Sequence, residues 1–314
     1  MSVLTVVLAL FAALSNAAAS VLQRRAAAQD EDRAGARHTA LSSLLRLSRD
    51  RYWVGGAALL ALTTVLQAAA LAVGSLAVVQ PLMATELLFT LMVGSLVFHH
   101  PPDPRTWLSF AALAVGLALF LGAAAPSAGR DTAVEGRWVW AGAGLFVLVT
   151  VLASVGGLLR GAPRAALFGS ASAVGFGGTA ALLKEVTGRL PQGVGAVLAQ
   201  WPPYATAVVG VASFLLLQSA LRAGTLAASQ PALTLGDALT SVALGWGLFG
   251  EQIALGVRVL PEVVGVTLIG LGSVGLARAP SVHGAWDTAP AAWDGPGRRL
   301  WRRGRSERRK GTDE

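Results

Sequence analysis

The stretch GSLAVVQPLMATELLFT (Gly74–Thr90) returns 150 residues later as GTLAASQPALTLGDALT (Gly224–Thr240). Each copy carries a Gly, a Leu-Ala pair, a Gln-Pro step and one carboxylate inside an otherwise apolar run. The likeness extends to both sides: Gln67 answers to Gln218, Glu86 to Asp237, Gly94 to Gly245 and Phe98 to Phe249. Earlier, Ala9–Phe11 (ALF) recurs at Ala166–Phe168, with Ser15 matching Ser172. A three-letter word repeats easily by chance in Ala- and Leu-rich chains, but Gly-[Ser/Thr]-Leu-Ala-x-x-Gln-Pro does not. The phrase itself aligns at an offset of 150, whereas Gln67, Glu86, Gly94 and Phe98 require 151. The two halves therefore differ by one residue around each Gln-Pro.

The composition says what kind of chain writes this phrase. Of 314 residues, 54% are hydrophobic and 13% charged, with a mean hydropathy of +0.59. Soluble domains carry about a quarter charged residues. Apolar runs near the length of about 20 residues that spans a bilayer recur along the sequence, so the expected class is an all-α polytopic membrane protein. Cysteine is absent, which excludes disulfides and thiolate metal sites. The basic residues are Arg apart from Lys184 and Lys310, and with the abundant Ala and Gly this points to a GC-rich bacterial genome. The first apolar run has no Lys or Arg before it, as a cleaved signal would need, and reads as a retained helix.

Nine transmembrane spans are expected, at about 2–22, 52–73, 77–98, 106–124, 137–159, 164–183, 197–221, 227–249 and 260–278. With the N-terminus outside, only Arg130, Arg137, Lys184, Arg189 and Arg258 of the 25 Lys and Arg fall outside, and the other twenty lie on the cytoplasmic side. That bias sets the expected orientation. Spans one to four match six to nine, and a shift of five spans makes each helix cross opposite to its counterpart. The reading is an inverted-topology repeat: 1–124 as the first repeat, 125–159 as a connector holding the fifth span, 160–278 as the second. Residues 279–314 are polar and rich in Pro, Gly and Arg, and read as a disordered cytoplasmic tail.

With the paired Pro81 and Pro231, and LFGEQI (Leu248–Ile253) closing the eighth span, the chain resembles the drug/metabolite transporter superfamily, in its EamA-like and NIPA-like branches. The resemblance covers about residues 1–278. It implies a secondary carrier of a small solute with no ATP-binding module, and the chain has no phosphate-binding Gly-Lys-Ser/Thr loop. Two departures stand out. The usual ten-span plan is one helix short, and the first half ends in FHHPP where the second has FGEQ.

Glu86 and Asp237 fall near the middle of spans three and eight. A carboxylate there costs at least about 2.5–3.5 kcal/mol by insertion scales, so each should face a polar interior or be protonated. They are candidates to bind a proton, a cation or the substrate; the alternative is a protonated acid bonded to a neighbouring helix. Gln80 and Gln230, beside the prolines, and Gln67 and Gln218, in spans two and seven, are further candidates because an amide both donates and accepts. Asn16 is either a site residue or interhelical glue. Trp201, Tyr204 and Trp246 fit packing or an interfacial belt better than a cavity wall. Glycines 169, 175, 177 and 178, with 265, 270, 272 and 275, are expected to permit close helix approach. Lys184 and Glu185 read as a solvated helix edge, and Arg222 as snorkelling to the interface.

No catalytic residue, metal site or cofactor is expected. His99-His100 lie about 100° apart on a helix and make a poor metal site. The basic tail fits attraction to anionic lipid rather than nucleic acid. Three functions remain: a secondary transporter by alternating access, with a divalent-cation variant; a membrane enzyme acting on lipid, which lacks an acid–histidine cluster in sequence; and a non-transporting scaffold or sensor using the tail.

Overall fold

A computed structural model describes residues 2–34, 50–98, 104–124, 129–134, 136–223, 226–252 and 259–277. All regular structure among them is helical. The helices are α1 (Val3–Ala34), α2 (Arg51–Val73), α3 (Leu76–Met83), α4 (Glu86–Phe98), α5 (Pro104–Ala124), α6 (Arg137–Leu158), α7 (Ala162–Arg189), α8 (Val194–Leu198), α9 (Pro202–Ala223), α10 (Leu226–Phe249) and α11 (Val259–Ala277). Among the described residues seven helical stretches are long and apolar enough to cross a membrane; Leu76–Thr90 and Leu260–Leu276 are shorter apolar helices.

Local chemistry sets the ends. The Asp50 carboxylate accepts from the amides of Tyr52 and Trp53 at 2.8 and 3.3 Å, capping α2. Glycines at positive φ, Gly136 (78°) and Gly161 (67°), precede α6 and α7, where a side chain would be strained.

Three expected spans need correction. The third was read as one helix over 77–98 but is two, α3 and α4, separated by Ala84 and Thr85. Pro81 removes one amide from the α3 ladder, and the Thr85 hydroxyl donates to the Leu82 carbonyl at 2.7 Å, closing the turn. Pro231 holds the same sixth position in α10, yet that helix runs on unbroken. The half with the shorter Pro-to-carboxylate spacing is the one that breaks. The first expected span matches the apolar stretch Val3–Gln23, and its helix carries on past it to Ala34. The sixth runs over 162–189, beyond the expected 164–183. The seventh begins at Pro202 rather than 197, after a 3-10 turn (Leu190–Gln192) and α8.

Packing is dominated by five pairs: α5 with α11, α9 with α7, α1 with α2, α10 with α7, and α6 with α7. The short α3 is buried along most of its length and also touches α1 and α10. Leu71, Leu76, Val79, Leu113, Leu248 and Phe249 anchor the core. The outer faces are apolar, most clearly on α6, where Trp140, Phe146 and Leu158 are exposed, as a hydrocarbon solvent permits. His99-His100 and the tail expected to be disordered (279–314) lie outside the described residues.

Candidate functional site

A cavity of about 400 Å³ lies among α1, α2, α3, α4, α7, α9 and α10. It is the size of a small-molecule site. Glu86 reaches it as the first residue of α4, where the break in the third span places a carboxylate at a helix N-terminus, the end that favours negative charge. The Asn16 side-chain amide on α1 donates to Glu86 Oε2. Asp237 comes from the middle of α10 and lines the same cavity. Asp237 Oδ1 is buried without a hydrogen-bond partner, and the nearby Ser241 hydroxyl closes no bond by distance and angle.

Gln80 and Gln67 line the same cavity. Gln80 is 4% exposed, and its Nε2 has no partner. The threonines in the wall behave differently. Thr63, Thr64, Thr179 and Thr206 each donate to the carbonyl four residues back in their own helix, at 2.8–3.1 Å. Their hydrogens are occupied, so they present lone pairs to the cavity. Met83, Leu87, Phe176, Leu183 and Leu217 supply apolar wall.

Beside the cavity stands an ion pair that sequence reasoning missed. Lys184 Nζ on α7 lies 2.5 Å from Glu251 Oε1, just past the end of α10, with both side chains buried. The same carboxylate accepts from the Leu76 and Ala77 amides at 2.6 and 3.0 Å, capping α3 from the far end of the sequence. Lys184 also donates to the Gly74 carbonyl at 3.3 Å and sits 4.9 Å above the Phe249 ring centre. Gly245 makes the room, since a Cβ there would fall 2.3 Å from Glu251 Oε2. Glu185 is fully buried as well. It accepts from Ala133 N at 2.7 Å and from Arg189 at 2.6 and 2.9 Å. The solvated edge expected at Lys184-Glu185 is therefore wrong: both side chains are interior and partnered. Their partners are remote in sequence. The available signal was a Lys in an Arg-rich chain, next to an acid, with one further acid in LFGEQI.

Of the six residues singled out from sequence, the structure brings Glu86, Asp237, Gln80 and Gln67 to one cavity. Gln218 is half-buried on α9 and does not line it. Gln230 lies in α10, and its side chain is outside the described residues. Asn16 is both a wall residue and glue, through its bond to Glu86. Trp201, Tyr204 and Trp246 are exposed and away from the cavity, with Trp201 edge-on to Trp138. Arg222 is exposed at the end of α9.

These features define a class: an all-helical protein of the membrane type with a cavity between its helices lined by both apolar and polar side chains. The chain is similar to an uncharacterized protein of Corynebacterium glutamicum, 28% identical over 281 residues, covering 84% of this chain and 93% of that one. No protein-family model matches the sequence, and no solved structure matches it.

Proposed function

We propose that the protein is a secondary transporter that moves a small solute across the bacterial cytoplasmic membrane by alternating access. The single observation that carries this reading is that Glu86 and Asp237, counterparts in the repeated phrase, line one cavity. A binding site contributed by both halves, at the depth where their helices meet, is what an inverted repeat needs to expose one site to either side in turn. Helix pairing supports the same plan. α1 packs on α2 as α7 packs on α9, and α1 packs on α3 and α4 as α7 packs on α10. In this reading the seven long helices and the two shorter apolar ones make nine crossings, the N-terminus is outside, and the Arg-rich tail lies against anionic lipid in the cytoplasm. Membership of the drug/metabolite transporter superfamily belongs to the same proposal.

The divalent-cation variant draws less support. Among the described residues no group of three or more His, Asp or Glu comes together to hold a metal ion.

The test is counterflow in proteoliposomes, using a solute chosen by thermal shift against metals, amines and sugars at two pH values, since binding to the folded state raises apparent stability. Glu86→Gln and Asp237→Asn should each abolish accumulation driven by a proton or cation gradient. Undiminished accumulation in both variants rejects the carboxylate mechanism. Deleting 284–314 should leave transport intact, whereas a scaffold that works through its tail would fail. Single cysteines at Asp131 and Arg105, in a chain that has none, should label from outside and inside respectively.

A further inference from the structure

Most of the cavity's polar side chains act as acceptors, while the Gln67 amide in the wall can both donate and accept. Glu86 and Asp237 are acceptors when ionised, Thr63, Thr64, Thr179 and Thr206 present lone pairs because their hydrogens are held by their own helices, and the Asn16 amide is engaged by Glu86. Among the described lining residues none is Lys, Arg or His. Against this acceptor-rich wall stands one buried donor with no partner, Gln80 Nε2. A buried donor left unmade costs about 1–3 kcal/mol, so an acceptor in the cavity would relieve it.

We propose that the cavity binds a small organic cation: a protonated amine whose N–H groups reach Glu86 and Asp237, carrying a hydrogen-bond acceptor for Gln80 Nε2 and an apolar body. The chemistry follows from the lining. An ammonium has three donors and no acceptor, which matches two carboxylates in a wall of lone pairs. A neutral sugar could donate its hydroxyls to the same acceptors but would leave the charge of the two carboxylates uncompensated, and an anion would be repelled. A bare divalent ion would have two carboxylates and no third charged ligand. Phe176, Met83, Leu87 and Leu217 give the apolar body its surface. The volume of about 400 Å³ admits such a molecule.

This assignment rests on the transporter reading for its biological meaning, but binding can be tested without transport. The purified full-length protein in nanodiscs is titrated calorimetrically with primary and secondary amines, each paired with the alcohol in which hydroxyl replaces the amine. The leading probes are 2-amino-1-phenylethanol with 1-phenylethane-1,2-diol, 2-phenylethylamine with 2-phenylethanol, and magnesium chloride. The amines should bind at least about tenfold more tightly than their alcohol partners, a step of one decade in Kd. Asp237→Asn should weaken the amines by about tenfold or more while leaving the alcohols unchanged. Gln80→Leu should erase the advantage of the hydroxyl-bearing amine over 2-phenylethylamine and spare the latter. Because the charge series is read on the unmodified protein, it decides the matter even if a variant fails to fold. Alcohols that bind as well as amines throughout the panel overturn the proposal, as does magnesium binding that outcompetes every amine. Amine binding without counterflow of the same amine in proteoliposomes keeps the site and rejects the carrier.

Discussion

Gly116 and Gly265 face each other across α5 and α11 in a reciprocal contact. A Cβ built on Gly116 would lie 2.7 Å from the Gly265 carbonyl oxygen and 2.7 Å from Ile269 N; one built on Gly265 would lie 2.8 Å from the Gly116 carbonyl oxygen and 2.8 Å from Phe120 N. Each glycine meets the other's carbonyl and the amide four residues beyond it, so the contact has a local two-fold. Gly272 against Leu113 and Gly275 against Ser109 continue it in antiparallel sense. Backbones approach this closely only where both residues are small.

Substituting either glycine by alanine must push the helices apart, because the atoms in the way are backbone. Gly116→Ala and Gly265→Ala should each lower stability by about 1–3 kcal/mol, the usual cost of overpacking. The double variant should cost less than the sum, since one displacement accommodates both methyls. Gly122→Ala on the same helix, where a Cβ meets nothing within 4 Å, should be neutral or slightly stabilising. Thermal unfolding in one detergent measures all four, and equal effects at 116 and 122 would dismiss the close contact.

The buried pair Lys184–Glu251 ties α7 and the end of α10 to the start of α3. Removing one partner of a buried pair leaves an uncompensated charge and costs about 3–5 kcal/mol. Lys184→Met should be destabilising on that scale. Glu251→Ala should be worse, since it also strips the cap from the Leu76 and Ala77 amides. Lys184→Met with Glu251→Gln should lose less than the two single changes together. Additive losses in a double-mutant cycle of chemical unfolding would show that the two do not act as a unit.

What could be read from the residues alone follows a physical line. The span of an apolar run is local information, as is the register of a repeated phrase; together they single out Glu86 and Asp237 as mid-span counterparts, but only the structure shows that the two line one cavity. The break at Ala84-Thr85 was visible only as a one-residue slip in the alignment, which does not say whether a helix bends, bulges or stops. Lys184 and Glu185 were misread because charge at the end of an apolar run looks the same whether it meets water or a partner. Glu251 lies 67 residues from Lys184 and 175 from Leu76. Gln67 and Gln218 align in sequence, yet only the first lines the cavity. Which of two equivalent residues faces the cavity depends on tilts and packing that no single span encodes.

Glu185 secures a different junction. Its Oε2 holds Ala133 N, while Arg130 N and Val134 N bond to the carbonyls of Phe249 and Leu248 at 2.8 and 3.1 Å. The segment before α6 is therefore pinned at three amides to α7 and the end of α10. Glu185→Ala should raise amide exchange at Ala133 by about tenfold or more, given about 1.5–3 kcal/mol for a hydrogen bond to a charged group, with smaller increases at Arg130 and Val134. Gly188→Ala offers an independent probe, because its Cβ would fall 2.1 Å from the Asp131 carbonyl oxygen and should loosen the same segment. Exchange followed by mass spectrometry should show unchanged protection in α5 and α11; loss spread over the whole protein would mean general unfolding instead.

Asn16 should act on the cavity only through Glu86. Its amide donates to the carboxylate from α1, fixing which oxygen remains free for a ligand. Asn16→Ala removes that restraint without changing the charge in the cavity, so ligand affinity should fall by a moderate factor, about threefold to tenfold, as expected for one charge-assisted bond acting at second hand. In a Glu86→Gln background the same substitution should add little, because the carboxylate it positions is gone. Asn16→Asp should be more damaging than Asn16→Ala, since a second carboxylate would then press on Glu86. Binding titrations on the four variants and the parent separate the roles. If Asn16→Ala weakens binding equally with and without the Glu86 carboxylate, Asn16 contacts the ligand itself and the positioning role is rejected.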